Sequence, residues 1–187
     1  MSSSTENQYP IFGFVYPLVC CARMAPEWSW VRRRASCIAP RKVSSDTPDD
    51  AYSRAARVEM KRQGGGKVVH VTSLTSSMGL AGTSVYGMTK AALAQLAKTQ
   101  AVEWAADNIQ VNCLAPGFIL TPLTERPLWG DEKKRAWLLG RIPAKRPGTP
   151  DDMVAAVLYM AGPGSSYLTG QMITVDGGVL AGGSWDD

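Results

Sequence analysis

Histidine is almost absent from this 187-residue sequence, and glycine is scarce in its first third. The only histidine, His70, lies inside a valine-rich run, where a buried and neutral imidazole is expected. A serine, histidine and aspartate triad therefore has no candidate base. A single glycine, Gly13, precedes Gly64, so the first 63 residues contain no glycine-rich turn that could bind phosphate at a helix N-terminus.

Metal-binding and membrane-spanning patterns are also missing. The four cysteines, at positions 20, 21, 37 and 113, form neither a CxxC pair nor the spacing of a metal site. Their placement predicts a reducing, cytoplasmic setting and no bound metal. The apolar run 11–22 has about half the length of a membrane-spanning helix, and Pro10 and Pro17 interrupt its region, so no membrane association is expected.

Basic residues crowd into one stretch of the first quarter of the chain. They are Arg23, Arg32, Arg33, Arg34, Arg41 and Lys42. With Trp28 and Trp30 this arm could contact phosphates and stack on bases, but no nucleic-acid-binding motif accompanies it. Nucleic acid is therefore not expected as a partner.

The hydrophobic pattern divides the chain into two parts. Residues 1–50 contain five prolines and no sustained period, which predicts an irregular segment without a regular fold. In residues 51–187 helical and strand-like units alternate, which is typical of an α/β domain.

Three strands and about three long helices are predicted in the second part. The strands are 67–72, 109–115 and 172–176. Two helices are 83–104 and 150–161, and residues 54–63 are the last turns of another. Residues 121–139 form a polar, proline-interrupted segment, which predicts short helical pieces in a mobile element.

Tyr86 and Lys90 carry the clearest chemical signal. They are four residues apart in the predicted helix 83–104 and so lie on one helix face. A free phenol has a pKa of about 10, and a neighbouring cation favours its phenolate, so the pair can act as a general base or acid. Ser73, thirteen residues before Tyr86 at the end of a strand, could hold the substrate oxygen. Removing hydride from an alcohol requires an acceptor that no side chain provides, which implies a nicotinamide cofactor.

Two alternatives weaken this reading when the residues are taken alone. A tyrosine and a lysine four residues apart occur by chance in roughly a third of chains of this length. Ser76 and Ser77 compete with Ser73, because hydroxyl groups are abundant in this loop. The order of strand, loop, helix and second strand around the pair supports the catalytic interpretation.

Several ordered motifs resemble one enzyme family. Residues 66–178 are similar to the C-terminal half of the short-chain dehydrogenase/reductase family. The matching segments are VVHVTS (68–73), YGMTKAAL (86–93), VNCLAPGFILT (111–121) and TGQMITVDGG (169–178). The resemblance implies a Rossmann-like, doubly wound parallel sheet and an NAD- or NADP-dependent oxidoreductase. The motifs are most similar to those of members that act on sugars, polyols and sugar acids. Members that reduce acyl thioester ketones have nearly the same motifs.

The resemblance also implies roles for individual residues. The implied catalytic residues are Ser73, Tyr86 and Lys90, and the implied cofactor-binding residues are Tyr86, Lys90, Pro116, Gly117, Ile119 and Thr121. Thr121 would offer its hydroxyl to the carboxamide or the phosphates, and the segment after it, to about residue 139, would close over the substrate. A small-molecule alcohol or ketone is the implied substrate, and a homo-oligomer, dimer or tetramer, is the implied assembly.

The first part of the chain departs from the family pattern. A full member begins with a strand, a TGxxxGxG-type turn and a helix, and none of these is present. The family's catalytic asparagine corresponds to position 46, which is Asp46. The N-terminal half is therefore expected to be missing or replaced, by a shifted reading frame, an alternative start or a misjoined exon, or else by a true functional extension. A sheet without its first strands would expose one edge and two apolar faces.

These observations predict an oxidoreductase that interconverts a secondary alcohol and a ketone, in a truncated form. The alternative is a catalytically inactive fragment that acts at most by associating with full-length relatives.

Overall fold

In a computed structural model of the protein, residues 18–20 and 48–183 are described. The strands are β1 (Leu18–Cys20), β2 (Gly66–Val71), β3 (Ile109–Pro116) and β4 (Met172–Val175). The helices are α1 (Pro48–Arg62), α2 (Ser84–Trp104), α3 (Pro122–Thr124), α4 (Glu132–Arg141) and α5 (Pro150–Ala161). A π-helical turn, Glu125–Trp129, separates α3 from α4. Within these ranges no helix is both long and apolar enough to cross a bilayer.

The four strands form one sheet in the order β1-β2-β3-β4. β2 pairs with β3, and β3 with β4, in parallel, as their crossover helices require. The three strands predicted for residues 51–187 are confirmed within two residues at each end, and so is the α/β class.

The sheet edge at β2 differs from the expectation. β1 pairs antiparallel with β2, with Leu18 opposite Val69 and Cys20 opposite Lys67. Residues 18–20 thus form a strand where no regular structure was expected, and this strand borders β2 over residues 67–69. The remainder of that expectation falls on residues 1–17 and 21–47, which lie outside the described residues, as do Asp46 and the basic arm.

Helices cover both faces of the sheet. Since side chains alternate along a strand, Val68 packs toward Ala97 and Trp104 of α2, while Val69 packs toward Met160 of α5. Both valines are at most 1% exposed. This doubly wound arrangement confirms the predicted fold class.

α1 and α2 are joined through a buried polar group of residues. The Gln100 side-chain amide donates to the Asp50 carboxylate (2.9 Å) and to the Ser53 hydroxyl (2.8 Å). The Gln100 carbonyl oxygen lies 2.9 Å from Nε2 of His70 on β2. The burial predicted for His70 is confirmed, and its partner comes from thirty residues further along the chain.

The proline-interrupted segment forms the short helical pieces that were predicted. Thr121 and Thr124 make a capping box around α3, and the Asp131 side chain accepts from the Lys134 backbone NH at the start of α4. α5 begins with a second capping box, formed by Thr149 and Asp152. These caps explain why the helices begin where they do.

Candidate active site

Ser73 lies just beyond the carboxyl end of β2. Thr72 continues the strand by donating from its backbone NH to the Leu114 carbonyl oxygen at 2.8 Å. Ser73 is itself extended and caps the short 3-10 turn Leu74–Ser76, where its Oγ accepts from the Thr75 backbone NH at 3.2 Å. A hydroxyl that accepts one bond retains a proton to donate, so Ser73 can still act on a substrate oxygen.

Tyr86 and Lys90 lie in the first two turns of α2. The Lys90 ammonium is 5.8 Å from the centre of the Tyr86 ring and donates a 2.9 Å hydrogen bond to the Val71 carbonyl oxygen. Lys90 is 4% exposed, whereas Tyr86 is 42% exposed. A buried cation is therefore held beside a phenol that solvent can reach, which is the arrangement that the spacing predicted.

The start of α2 packs against the turn that follows Ser73. A Cβ atom added to Gly87 would lie 3.4 Å from the Thr75 carbonyl oxygen. Lys90 contacts the end of β2 at Val71, two residues before Ser73. The structure thus brings Ser73, Tyr86 and Lys90 to one end of the β2 strand. Among the competing hydroxyls, that of Ser76 is buried and has no hydrogen-bond partner in the described part of the chain.

The segment after β3 shows a packing reason for its glycine. A Cβ atom on Gly117 would lie 2.6 Å from Cα of Asp176, and the Gly117 backbone NH donates to the Val175 carbonyl oxygen at 3.0 Å. Pro116 ends the strand beside it. The close approach of β3 and β4 therefore requires glycine at this position, whether or not a ligand lies nearby.

Ile119 and Thr121 are both engaged with α3. The Ile119 carbonyl oxygen accepts from the Thr124 hydroxyl at 2.6 Å, and the Thr121 hydroxyl accepts from the Thr124 backbone NH at 3.3 Å. Capping is thus a role for Thr121 that the sequence analysis missed, although a threonine before Pro122 is a recognisable N-cap signal. A contact between this hydroxyl and a cofactor stays a prediction.

A cavity of about 220 Å³ lies near these residues but not at the catalytic pair. Ile119 is the only predicted site residue in its lining, which also includes Phe118, Met153 and Asp176. Arg146 closes its rim with a two-pronged ion pair to Asp152, with both distances 2.8 Å. The side-chain hydrogen bond from Arg146 is the main reason that the pKa of Asp152 lies below its usual value. We place the chemistry at Tyr86 and Lys90, because this cavity contains no group paired for proton transfer.

Comparison with known proteins identifies the family. The family model described as enoyl-(acyl carrier protein) reductase matches residues 50–180. A tropinone reductase homologue from Arabidopsis thaliana is 40% identical over 144 residues, which cover 76% of this chain and 54% of that protein. A 2-dehydro-3-deoxy-D-gluconate 5-dehydrogenase from Bacillus subtilis is 42% identical over 122 residues, covering 65% and 48%.

A solved structure supports the same relationship. The gluconate 5-dehydrogenase of Burkholderia cenocepacia J2315, in complex with NADP and tartrate, is similar with a TM-score of 0.68 and 34% identity, covering 70% of this chain and 51% of that one. The chain spans about half the length of the relatives that it matches. By sequence and by fold, the chain belongs to the short-chain dehydrogenase/reductase family.

Proposed function

We propose that this chain carries the catalytic half of an NAD- or NADP-dependent oxidoreductase that interconverts a secondary alcohol and a ketone. The single observation that carries the proposal is the position of the Lys90 ammonium, buried between the Val71 carbonyl oxygen and the Tyr86 ring. This contact holds a positive charge beside the residue proposed as the general acid and base.

Each of the three residues has a distinct role in the proposed reaction. Tyr86 takes the hydroxyl proton when the alcohol is oxidised and returns it when the ketone is reduced. Lys90 provides a fixed positive charge beside Tyr86, and its bond to β2 keeps the ammonium in place. Ser73 donates a hydrogen bond to the substrate oxygen and stabilises the charge that develops there.

We propose that this chain holds one end of the cofactor. Tyr86, Lys90 and the segment Pro116, Gly117, Ile119 and Thr121 are the proposed contacts of the nicotinamide and its ribose. When bound, the nicotinamide accepts or supplies the hydride. Within residues 48–183 no strand leads through a glycine-rich turn into a helix, so this part of the chain offers no cradle for the pyrophosphate.

We further propose a sugar, polyol or sugar-acid substrate. Two relatives of this chain are named for gluconate and for a deoxy-ketogluconate, which supports this class of substrate.

Replacing Tyr86 by Phe tests the proposal directly. We expect NADP-dependent oxidation of D-gluconate by the full chain to fall by about 10² to 10⁴-fold, because the acid/base group is lost while the ring remains. The absorbance of the reduced cofactor measures the rate. Tyr159→Phe, a change on the exposed face of α5, is the matched control and should leave the rate unchanged. Equal activity of Tyr86→Phe and the wild type would contradict the assignment.

A second candidate is an inactive fragment that associates with full-length relatives in a dimer or tetramer. The observation that favours it is the exposure of apolar side chains on two helices, with Val85 and Met88 64–66% exposed on α2 and Val154 49% exposed on α5. Titration with NADPH separates the two candidates. Saturable binding supports the enzyme, whereas no binding together with co-elution with a full-length relative supports the fragment.

A further inference from the structure

The segment 125–146, which leads from α3 through α4 to the rim of the cavity, has a strong excess of positive charge. It contains seven basic and three acidic residues, an excess equal to the net charge of +4 of the whole chain. This excess lies outside the basic stretch of the first quarter of the chain. A positive surface beside a candidate substrate site favours a negatively charged ligand.

Arg146 and Lys134 are two of these cations, and each is held by an oxygen atom of the chain. Arg146 is held by the Asp152 carboxylate, and the Lys134 ammonium donates to the Pro127 carbonyl oxygen at 3.0 Å. Arg141, at the end of α4, differs from both. Its guanidinium lies over the Trp137 ring at 5.0 Å, and the described part of the chain contains no hydrogen bond or ion pair to it.

Stacking on Trp137 orients the Arg141 guanidinium and restricts its motion before a ligand binds. A guanidinium that lies on an aromatic ring has one face covered, while the N–H groups around its edge remain available. Those groups form a planar fork that matches the two oxygens of a carboxylate. The ring also restricts the side chain, so less conformational entropy is lost when a ligand binds.

Contacts from Trp137 lead back to the proposed site. The Trp137 ring meets Phe118 edge-on, with ring centres 6.5 Å apart and the planes at 80°. Phe118 directly follows Gly117 and packs in one cluster with Leu74, which directly follows Ser73. Leu138 of α4 belongs to the same cluster and is 3% exposed, so α4 is anchored next to these residues.

We propose that Arg141, held in place by Trp137, binds a carboxylate of the substrate and so selects sugar acids over neutral sugars and polyols. This inference rests on the proposed function and assigns a specificity-determining residue to it. The proposed selectivity comes from the oriented guanidinium of Arg141 and not from the net positive charge of the segment 125–146.

Binding of D-gluconate and of D-sorbitol to the full chain, measured by calorimetry without cofactor, tests the inference. Sorbitol has the hydroxyl groups of gluconate without its carboxylate. We expect wild-type protein to bind gluconate more tightly, and Arg141→Gln to weaken gluconate binding by about tenfold or more while leaving sorbitol unaffected. Arg141→Lys should recover part of the loss, because the charge returns without the planar fork.

Arg135→Gln is the matched control, since it removes one exposed positive charge from the same helix. Equal losses in Arg135→Gln and Arg141→Gln would show a general charge effect and overturn the inference. No gluconate binding by the wild type would overturn it too, as would binding of poly-L-glutamate alone, which would assign the surface to an acidic macromolecule. If binding depends on Arg141 but wild-type turnover is absent, the proposed catalysis fails while this inference stands.

Discussion

At the scale of single residues, the site depends on backbone atoms as much as on side chains. Lys90 is held by the Val71 carbonyl oxygen, and Gly117 is required by the nearness of the Asp176 backbone. Neither contact can be read from local spacing, because the partners lie 19 and 59 residues away along the chain.

Gly117→Ala should destabilise the protein by about 1–3 kcal/mol. The added methyl group would meet Cα of Asp176 at 2.6 Å, and backbone atoms cannot swing aside as the end of a side chain can. Urea unfolding measures the change. Gly79→Ala is the control, since a Cβ there meets nothing within 4 Å, and a similar loss in both variants would contradict the packing explanation.

Cys113 shows how burial controls reactivity at this scale. Desolvation raises the pKa of its thiol to about 12, and the residue is 2% exposed. Because the thiolate is the reactive form, native protein should leave Cys113 unmodified by iodoacetamide at pH 8, whereas protein in guanidinium should be modified there. Mass spectrometry of the peptides shows whether Cys113 has been modified. Rapid labelling in the native state would show that β3 opens readily.

At the scale of elements, sequence reasoning found the strands and long helices but not what joins them. The valine run of β2 and the small-residue face of α2 have clear periods, and the structure has both elements in those places. The last turns of α1 were expected at 54–63, but its start at Pro48 was not predicted, because the charged residues of its first turns obscure any apolar period. The contact of Asp50 and His70 with Gln100 was beyond prediction, since a glutamine in a helix gives no sign of its partners.

Gln100→Leu should cost the protein about 1–3 kcal/mol. The substitution keeps a similar volume but removes hydrogen bonds from the buried Asp50, Ser53 and His70 side chains, each of which is at most 6% exposed. Thermal unfolding measures the loss. Gln95→Leu, on the exposed side of the same helix, should change little. A neutral result for Gln100→Leu would mean that apolar packing replaces these bonds fully.

At the scale of the whole molecule, ion pairs shape the response to acid. Hydrogen bonds from Arg62 lower the pKa of Glu59 to about 2, and those from Lys61 and Arg146 lower the pKa values of Asp107 and Asp152. A carboxyl group with a lowered folded-state pKa stabilises the fold above its unfolded-state pKa and loses that contribution as pH falls through the folded-state value.

The melting temperature should therefore fall as the pH is lowered from about 5 toward 2. Asp152→Asn should reduce this slope, because one of the carboxyl groups responsible is gone. Asp151→Asn is the control, as no ion pair of Asp151 occurs in the described ranges. Scanning calorimetry at several pH values gives the comparison, and identical slopes for Asp152→Asn and the wild type would contradict the explanation.

The pairing of β1 with β2 has a competitive consequence. A strand has two edges, and those of β2 are taken by β3 on one side and, over residues 67–69, by β1 on the other. A strand from another polypeptide can pair with residues 67–69 of β2 only after Leu18–Cys20 has been displaced. An incoming strand would therefore have to replace β1 there, and the three residue pairings between β1 and β2 would be lost first.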